Sequence, residues 1–167
     1  MANDLGTSLT LLPDRGGRRA FDRVVLSHEA RLLRRKRLTT AGGHSFLVDL
    51  PATVSLIGGE AFELQDRRLI EVVAGDDDLL EITGPDLLRY AWHIGNRHAP
   101  CQIEAARLLI LRDKVMAEML RGLGAGLTEI AGPFAPEGGA YGHGRTLGHS
   151  HGPEPGHAHA HAGDGAA

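Results

Sequence analysis

Residues 79–131 read "LLEITGPDLLRYAWHIGNRHAPCQIEAARLLILRDKVMAEMLRGLGAGLTEIA". "LLEIT" (79–83) has the length and apolar content of a strand. Thr83 then stands where a helix N-cap belongs, with Pro85 in the first turn and Asp86 three residues past the cap. Leu87, Leu88, Ala91 and Trp92 repeat at helical spacing and predict one apolar face, which Gly95-Asn96 brings to a stop. "CQIE" and "RLLIL" predict two strands around Ala105-Ala106. A second helix is expected from Arg112 to Leu123, with Val115, Met116, Met119, Leu120 and Leu123 on one face and Gly124 as its end. "LTEIA" (127–131) closes the series as a strand. Strand, helix, strand, strand, helix, strand is the ferredoxin-like βαββαβ plan, a four-stranded sheet with both helices on one face.

Upstream the style differs. "DRVVLSH", "HSFLVDL", "AFELQ" and "RLIEVVA", between Phe21 and Gly75, are short and rich in β-branched and apolar residues, with turns at "IGGE" (57–60) and "QDR" (65–67). These predict a small all-β unit. "GDDD" (75–78) marks the change between the two styles. The expected fold class is therefore α+β, with residues 1–20 a polar, Gly-rich, flexible lead-in, 21–76 the β-rich domain and 77–135 the ferredoxin-like domain. Residues 136–167 form a Gly/Pro/Ala/His-rich tail that lacks the apolar content to offset its ordering entropy and is expected to be mobile.

Composition narrows the function classes. The 167 residues carry 42% hydrophobic but only 4% aromatic side chains, so two modest aliphatic cores are expected. A net charge of −3 gives no basic field for nucleic acid. The single cysteine, Cys101, cannot close an intramolecular disulfide, and no apolar run is long enough for a membrane span. The expectation is a cytoplasmic protein that binds neither membrane nor nucleic acid.

Six of the ten histidines fall within residues 143–161: His143, His149, His151, His157, His159 and His161. Neutral imidazole is a good ligand for Ni(II), Cu(II) and Zn(II), and a tail of exchangeable donors suits capture and hand-over better than catalysis. Affinity order by itself favours Cu(II) over Ni(II).

The folded part offers "HIGNRHAP" (93–100). His93 and His98 would point about 140° apart on an ideal helix and cannot easily share an ion. His98 lies past the helix stop. One loop imidazole holds metal weakly, but a twofold axis can bring a residue beside its own mate. Cys101 reads as a small apolar residue of a short strand. The basic run "RLLRRKRL" (31–38) reads as a solvated strand face, with docking of a partner a weaker reading.

With these residues in hand, the chain resembles the UreE family of urease accessory proteins, which are nickel metallochaperones. "HIGNRHAPCQIE", "MLRGLG" and "PFAPEGGAYGHG" carry the likeness, which is dense over 79–152 and looser over 21–75. The resemblance implies an N-terminal domain of a peptide-binding type and a C-terminal metal-binding domain that forms a homodimer. It implies that His98 of each subunit shares a nickel ion, with His143, then His149 and His151, completing the shell and "HAHAH" (157–161) adding storage capacity. It also implies Ni(II) delivery to the urease apoprotein together with the accessory GTPase UreG. Where some family members carry a His-Asp-His cluster opening the second helix, this chain has Arg112-Asp113-Lys114, and Leu147 stands where many have a further histidine.

Two other functions compete. A general Ni/Cu/Zn storage or resistance protein would share the tail but would not require His98 at a dimer axis. A small metallohydrolase built on His98 and Glu104 is weaker, because a catalytic zinc needs three ordered protein ligands and the chain has no H-E-x-x-H helix. The expectation is that the protein is not an enzyme.

Overall fold

The structure, a computed structural model, describes residues 3–138. The six tail histidines, and the expected mobility of the tail from residue 139 on, lie outside the described residues, whereas Glu137, also placed in that tail, is held by a backbone hydrogen bond to Cys101. The chain builds two sheets. Strands β1 (Asp4–Leu12), β2 (Asp22–Leu26), β3 (Leu32–Thr39), β4 (Ser45–Ser55), β5 (Ala61–Leu64) and β6 (Leu69–Ala74) form a six-stranded sheet in the order β2-β6-β5-β1-β4-β3. In β4, Phe46, Val48 and Leu50 alternate inward and meet Phe62 and Ile70 in the first core.

The lead-in expected over residues 1–20 is corrected by β1. It lies inside the sheet, parallel to β4 and antiparallel to β5. Its strand character is masked by two register shifts, between Asp4 and Thr7 against β4 and between Ser8 and Thr10 against β5. Gly6 sits at φ 85° within the first of these. Ser8 is wholly buried, yet its hydroxyl bonds the carbonyls of Glu63 (2.8 Å) and Thr10 (3.0 Å).

From Leu32 on the basic run lies in β3, at an edge of this sheet, but Arg31 precedes the strand and is buried rather than solvated. Arg35 and Arg37 reach Asp49 (3.8 Å) and Asp4 (2.9 Å). Lys36 sits opposite the buried Val48 and so places a charge on the core-facing side, which opposes edge-to-edge pairing.

The second sheet holds β7 (Asp76–Thr83), β8 (Gln102–Ile103), β9 (Leu108–Leu111) and β10 (Gly126–Pro133) in the order β10-β7-β9-β8, with neighbouring strands antiparallel. Helices α1 (Leu87–Asn96) and α2 (Lys114–Gly122) complete the ferredoxin-like order. Leu80 and Ile82 of β7 and Leu108 and Ile110 of β9 form one core with Tyr90, Ile94, Met116 and Leu120 of the helices. Leu79 and Leu109 point the other way and enclose Phe134.

Helix details depart from expectation. Thr83 ends β7, and Gly84 follows at φ 142°, where an added Cβ would lie 3.1 Å from the Tyr90 ring. Helix α1 therefore starts only at Leu87, with Asp86 at the N-cap. Its buried residues are Tyr90 and Ile94, whereas Leu88 and Trp92 are 90% and 64% exposed. Val115, expected on the inner face of α2, is likewise exposed. The second helix is capped by Asp113, whose carboxylate accepts the Met116 N–H at 2.7 Å.

Candidate metal centre

His98 is placed by the way α1 ends. The His98 N–H donates to the Gly95 carbonyl (2.9 Å) and the Ala99 N–H to the Ile94 carbonyl (3.4 Å). Together these make the paired bonds of a Schellman cap with His98 at C′. His98 consequently has φ 56°, a left-handed conformation that a side chain with a Cβ adopts at a cost. Ala99 packs into the same core as Ile94, completing the apolar contact of that cap. The imidazole is carried on an exposed residue at the end of a rigid helix.

On the outer side of α1, Leu88 and Trp92 are four residues apart and form an apolar stripe running toward the helix end that carries His98. The Trp92 ring meets the His93 ring edge-on at 4.9 Å. Arg97 bonds back to the His93 carbonyl at 3.3 Å. His93 thus lies within the helix beside Trp92, while His98 belongs to the cap.

Cys101 is half-buried, and burial, reinforced by the negative charge of Glu137, pushes its thiol up to about 11. It is a protonated thiol at neutral pH and a poor metal ligand. Glu104 is occupied: Arg107 Nε lies 2.6 Å from its carboxylate, Gln102 Nε2 2.8 Å, and Arg107 also binds Glu81 at 2.6 Å. The Arg107 bond is the main cause that holds the Glu104 carboxyl below its ordinary range. This network locks β7, β8 and the β8–β9 turn, and it leaves a metallohydrolase without its carboxylate. Among the described residues, no three His, Cys, Asp or Glu side chains converge to hold a metal ion.

One arrangement gave no signal in the sequence beyond the presence of Phe134 in a Gly/Pro-rich stretch. After β10 the chain does not leave the molecule. Phe134 is wholly buried against Leu79 and Leu109, the Ala135 N–H donates to Gln102 Oε1 (2.8 Å), and the Glu137 N–H donates to the Cys101 carbonyl (2.8 Å). The first sheet closes over this segment. Arg31, only 2% exposed, donates to the carbonyls of Phe134, Leu56 and Ile57, the last at 3.2 Å. The His28 ring meets the Phe134 ring edge-on at 5.0 Å, and the His28 N–H donates to the Asp77 carboxylate at 3.0 Å.

Comparison with known proteins follows this division into two sheets. Residues 10–75 match the family model for the N-terminal domain of the UreE urease accessory protein, and residues 77–161 match the model for its C-terminal domain. Among relatives named urease accessory protein UreE, that of Ruegeria pomeroyi is 64% identical over 132 residues, covering 79% of this chain and 89% of the relative. That of Rhodobacter capsulatus is 59% identical over 143 residues (86% and 91%). That of Cereibacter sphaeroides is 62% identical over 133 residues (80% and 72%). With both of its sheets matched and relatives aligned over about four fifths of its length, the chain belongs to the UreE family of urease accessory proteins, which serve urease maturation as accessory factors and not as enzymes.

Proposed function

We propose that this protein is a nickel carrier for urease maturation, working as a homodimer in which His98 of each subunit contributes an imidazole to one shared Ni(II). The observation that carries the reading is the placement of His98. It occupies a backbone conformation that favours glycine, at the end of an exposed Leu88–Trp92 stripe. A stripe of this kind on an α1 surface suits an isologous contact, which brings each residue of the helix end near its mate.

Further donors then come from the tail, His143 first, followed by His149 and His151, with His157, His159 and His161 raising capacity. Cu(II) and Zn(II) compete for the same imidazoles, since donor type alone does not select nickel. Delivery to the urease apoprotein proceeds in the cytoplasm with the GTPase UreG as partner.

Calorimetric titration of the dimer with Ni(II) tests the reading. Wild-type protein should show one tight ion per dimer followed by weaker ones, and His98→Ala should lose the tight phase. Tight binding that persists in His98→Ala would sink it. In nickel-limited cells, loss of the protein should abolish urease activity, and excess nickel should restore it.

A further inference from the structure

We propose that the β domain carries a docking cleft for an acidic segment of a partner protein, built by Arg19, Phe21, Arg67 and Arg68 where β2 begins beside the β5–β6 turn. The inference stands on the first sheet alone and does not depend on the nickel reading.

Its starting point is a strained residue. Among the described residues, His98 and Arg67 are the two non-glycine residues with positive φ, and Arg67 lies at 71°. The Arg67 N–H donates to the Leu64 carbonyl (2.9 Å) and the Leu64 N–H to the Arg68 carbonyl (2.9 Å). This makes 65–67 a three-residue hairpin loop whose last position favours glycine. An arginine stands there instead, its side chain 79% exposed. The β1–β2 connection pins its backbone, with Arg18 donating to the Arg67 carbonyl at 2.6 Å. The ion pair of Arg67 with Glu63 (3.5 Å) is shared with the closer Arg18 (2.8 Å), so the fold gains little from it. Strain kept under a solvent-facing guanidinium points to a contact outside the chain.

Beside the turn lies an open cleft of about 420 Å³, lined by Arg19, Ala20, Phe21, Arg67, Arg68 and Leu69. Phe21 is 48% exposed yet held in place: Arg68 lies over its ring at 4.4 Å, His44 meets it at 5.8 Å, and its N–H donates to the Leu69 carbonyl (2.8 Å). A fixed, exposed aromatic ring among arginines has the composition of a protein interface.

The charge surplus decides the occupant. Arg18, Arg67 and Arg68 share the carboxylates of Glu63 and Asp66, while Arg19 is exposed and has no ion pair among the described residues. That matches a segment with a few carboxylates, which arginine takes in bidentate fashion, and an apolar side chain to lie against Phe21. Anionic lipid surfaces recruit clusters of about 4–8 cations. Nucleic acid needs many phosphate contacts, against a chain whose net charge is −3. Recognition runs through side chains and not through strand addition. β2 stands last in the sheet order, yet the 40–43 turn already bonds it, with the Ala41 N–H on the Arg23 carbonyl (2.8 Å) and the Gly42 N–H on the Asp22 carboxylate (3.1 Å).

The test uses the full chain and a fluorescein-labelled peptide of alternating glutamate and serine with one central tryptophan, followed by fluorescence anisotropy. Saturable binding is expected that weakens with salt and vanishes when glutamine replaces glutamate. Arg19→Gln should raise Kd about tenfold, because it removes a guanidinium free to take a carboxylate. Arg67→Gly should weaken binding similarly while raising the unfolding midpoint, because glycine relieves the turn. A merely structural role for Arg67 would leave the affinity unchanged. Wild-type peptide affinity in either variant, or no saturable binding by the wild-type chain, would overturn the proposal. So would oligothymidylate or phosphatidylserine vesicles that bind more tightly than the peptide and lose affinity in the same variants. His98→Ala should bind the peptide as wild type does, so failure of the metal site and failure of the cleft are read separately.

Discussion

His98 and Gly124 occupy the same position of the same helix terminator. Each is the C′ residue of a Schellman cap. Gly124 donates to the Arg121 carbonyl and Ala125 to the Leu120 carbonyl, as His98 does to Gly95 and Ala99 to Ile94. Both have positive φ, 90° for Gly124 and 56° for His98. Glycine meets this demand without a Cβ penalty, whereas an imidazole there carries strain.

His98→Gly is therefore expected to raise stability by about 1 kcal/mol while removing the tight nickel site. Gly124→Ala should lower stability by a similar amount. Denaturant unfolding measures both, and nickel titration of the same samples separates fold from function. A destabilised His98→Gly would show that the cap is not strained.

The stripe on α1 can be tested without touching a ligand. Leu88 and Trp92 face solvent within one subunit, so Leu88→Glu and Trp92→Glu should leave the circular dichroism spectrum unchanged. Sedimentation velocity should show the dimer dissociating toward monomer, with loss of the shared site. Intact dimers in the double variant would place the interface elsewhere.

Acid should release metal before it unfolds the chain. Arginine bonds hold Glu63, Asp66 and Glu104 below their ordinary values of 4.5, 3.8 and 4.5. A carboxyl depressed in the folded state stabilises the fold above its unfolded pKa, and that stability is lost only as pH falls through the lower folded value. The fold should thus persist at pH 5. Tail imidazoles must be neutral to coordinate, and protonation near pH 6.5 competes with the metal. Bound nickel should fall steeply from about pH 7 to pH 5 while circular dichroism holds. Coincident transitions would contradict this separation.

Cys101, with its thiol pushed up to about 11, should alkylate at pH 8 on the order of a hundredfold more slowly than free cysteine. Cys101→Ala should keep the tight nickel site. Mass spectrometry of iodoacetamide-treated protein checks the first expectation and titration the second.

Much of this protein is legible along the chain because its signals are local. The order of strands and helices from 79 to 131, the stop after α1 and the stock of imidazoles depend on neighbours a few residues apart. The family likeness rests on contiguous motifs of the same kind. Periodicity does not report which of two apolar faces finds a partner. It grouped Leu88 and Trp92 with the core, whereas Tyr90 and Ile94 are the residues that meet the sheet. It missed β1, because two bulges break the alternation and a buried Ser8 looks like a surface residue. The bond of Arg31 to Phe134 joins residues 103 positions apart, and only the docking of one sheet against the other turns an ordinary arginine and a phenylalanine in a Gly/Pro-rich stretch into a buried junction. Contacts at that separation are decided by packing in three dimensions, where burial and hydrogen-bond satisfaction select one arrangement of elements that local pattern leaves open.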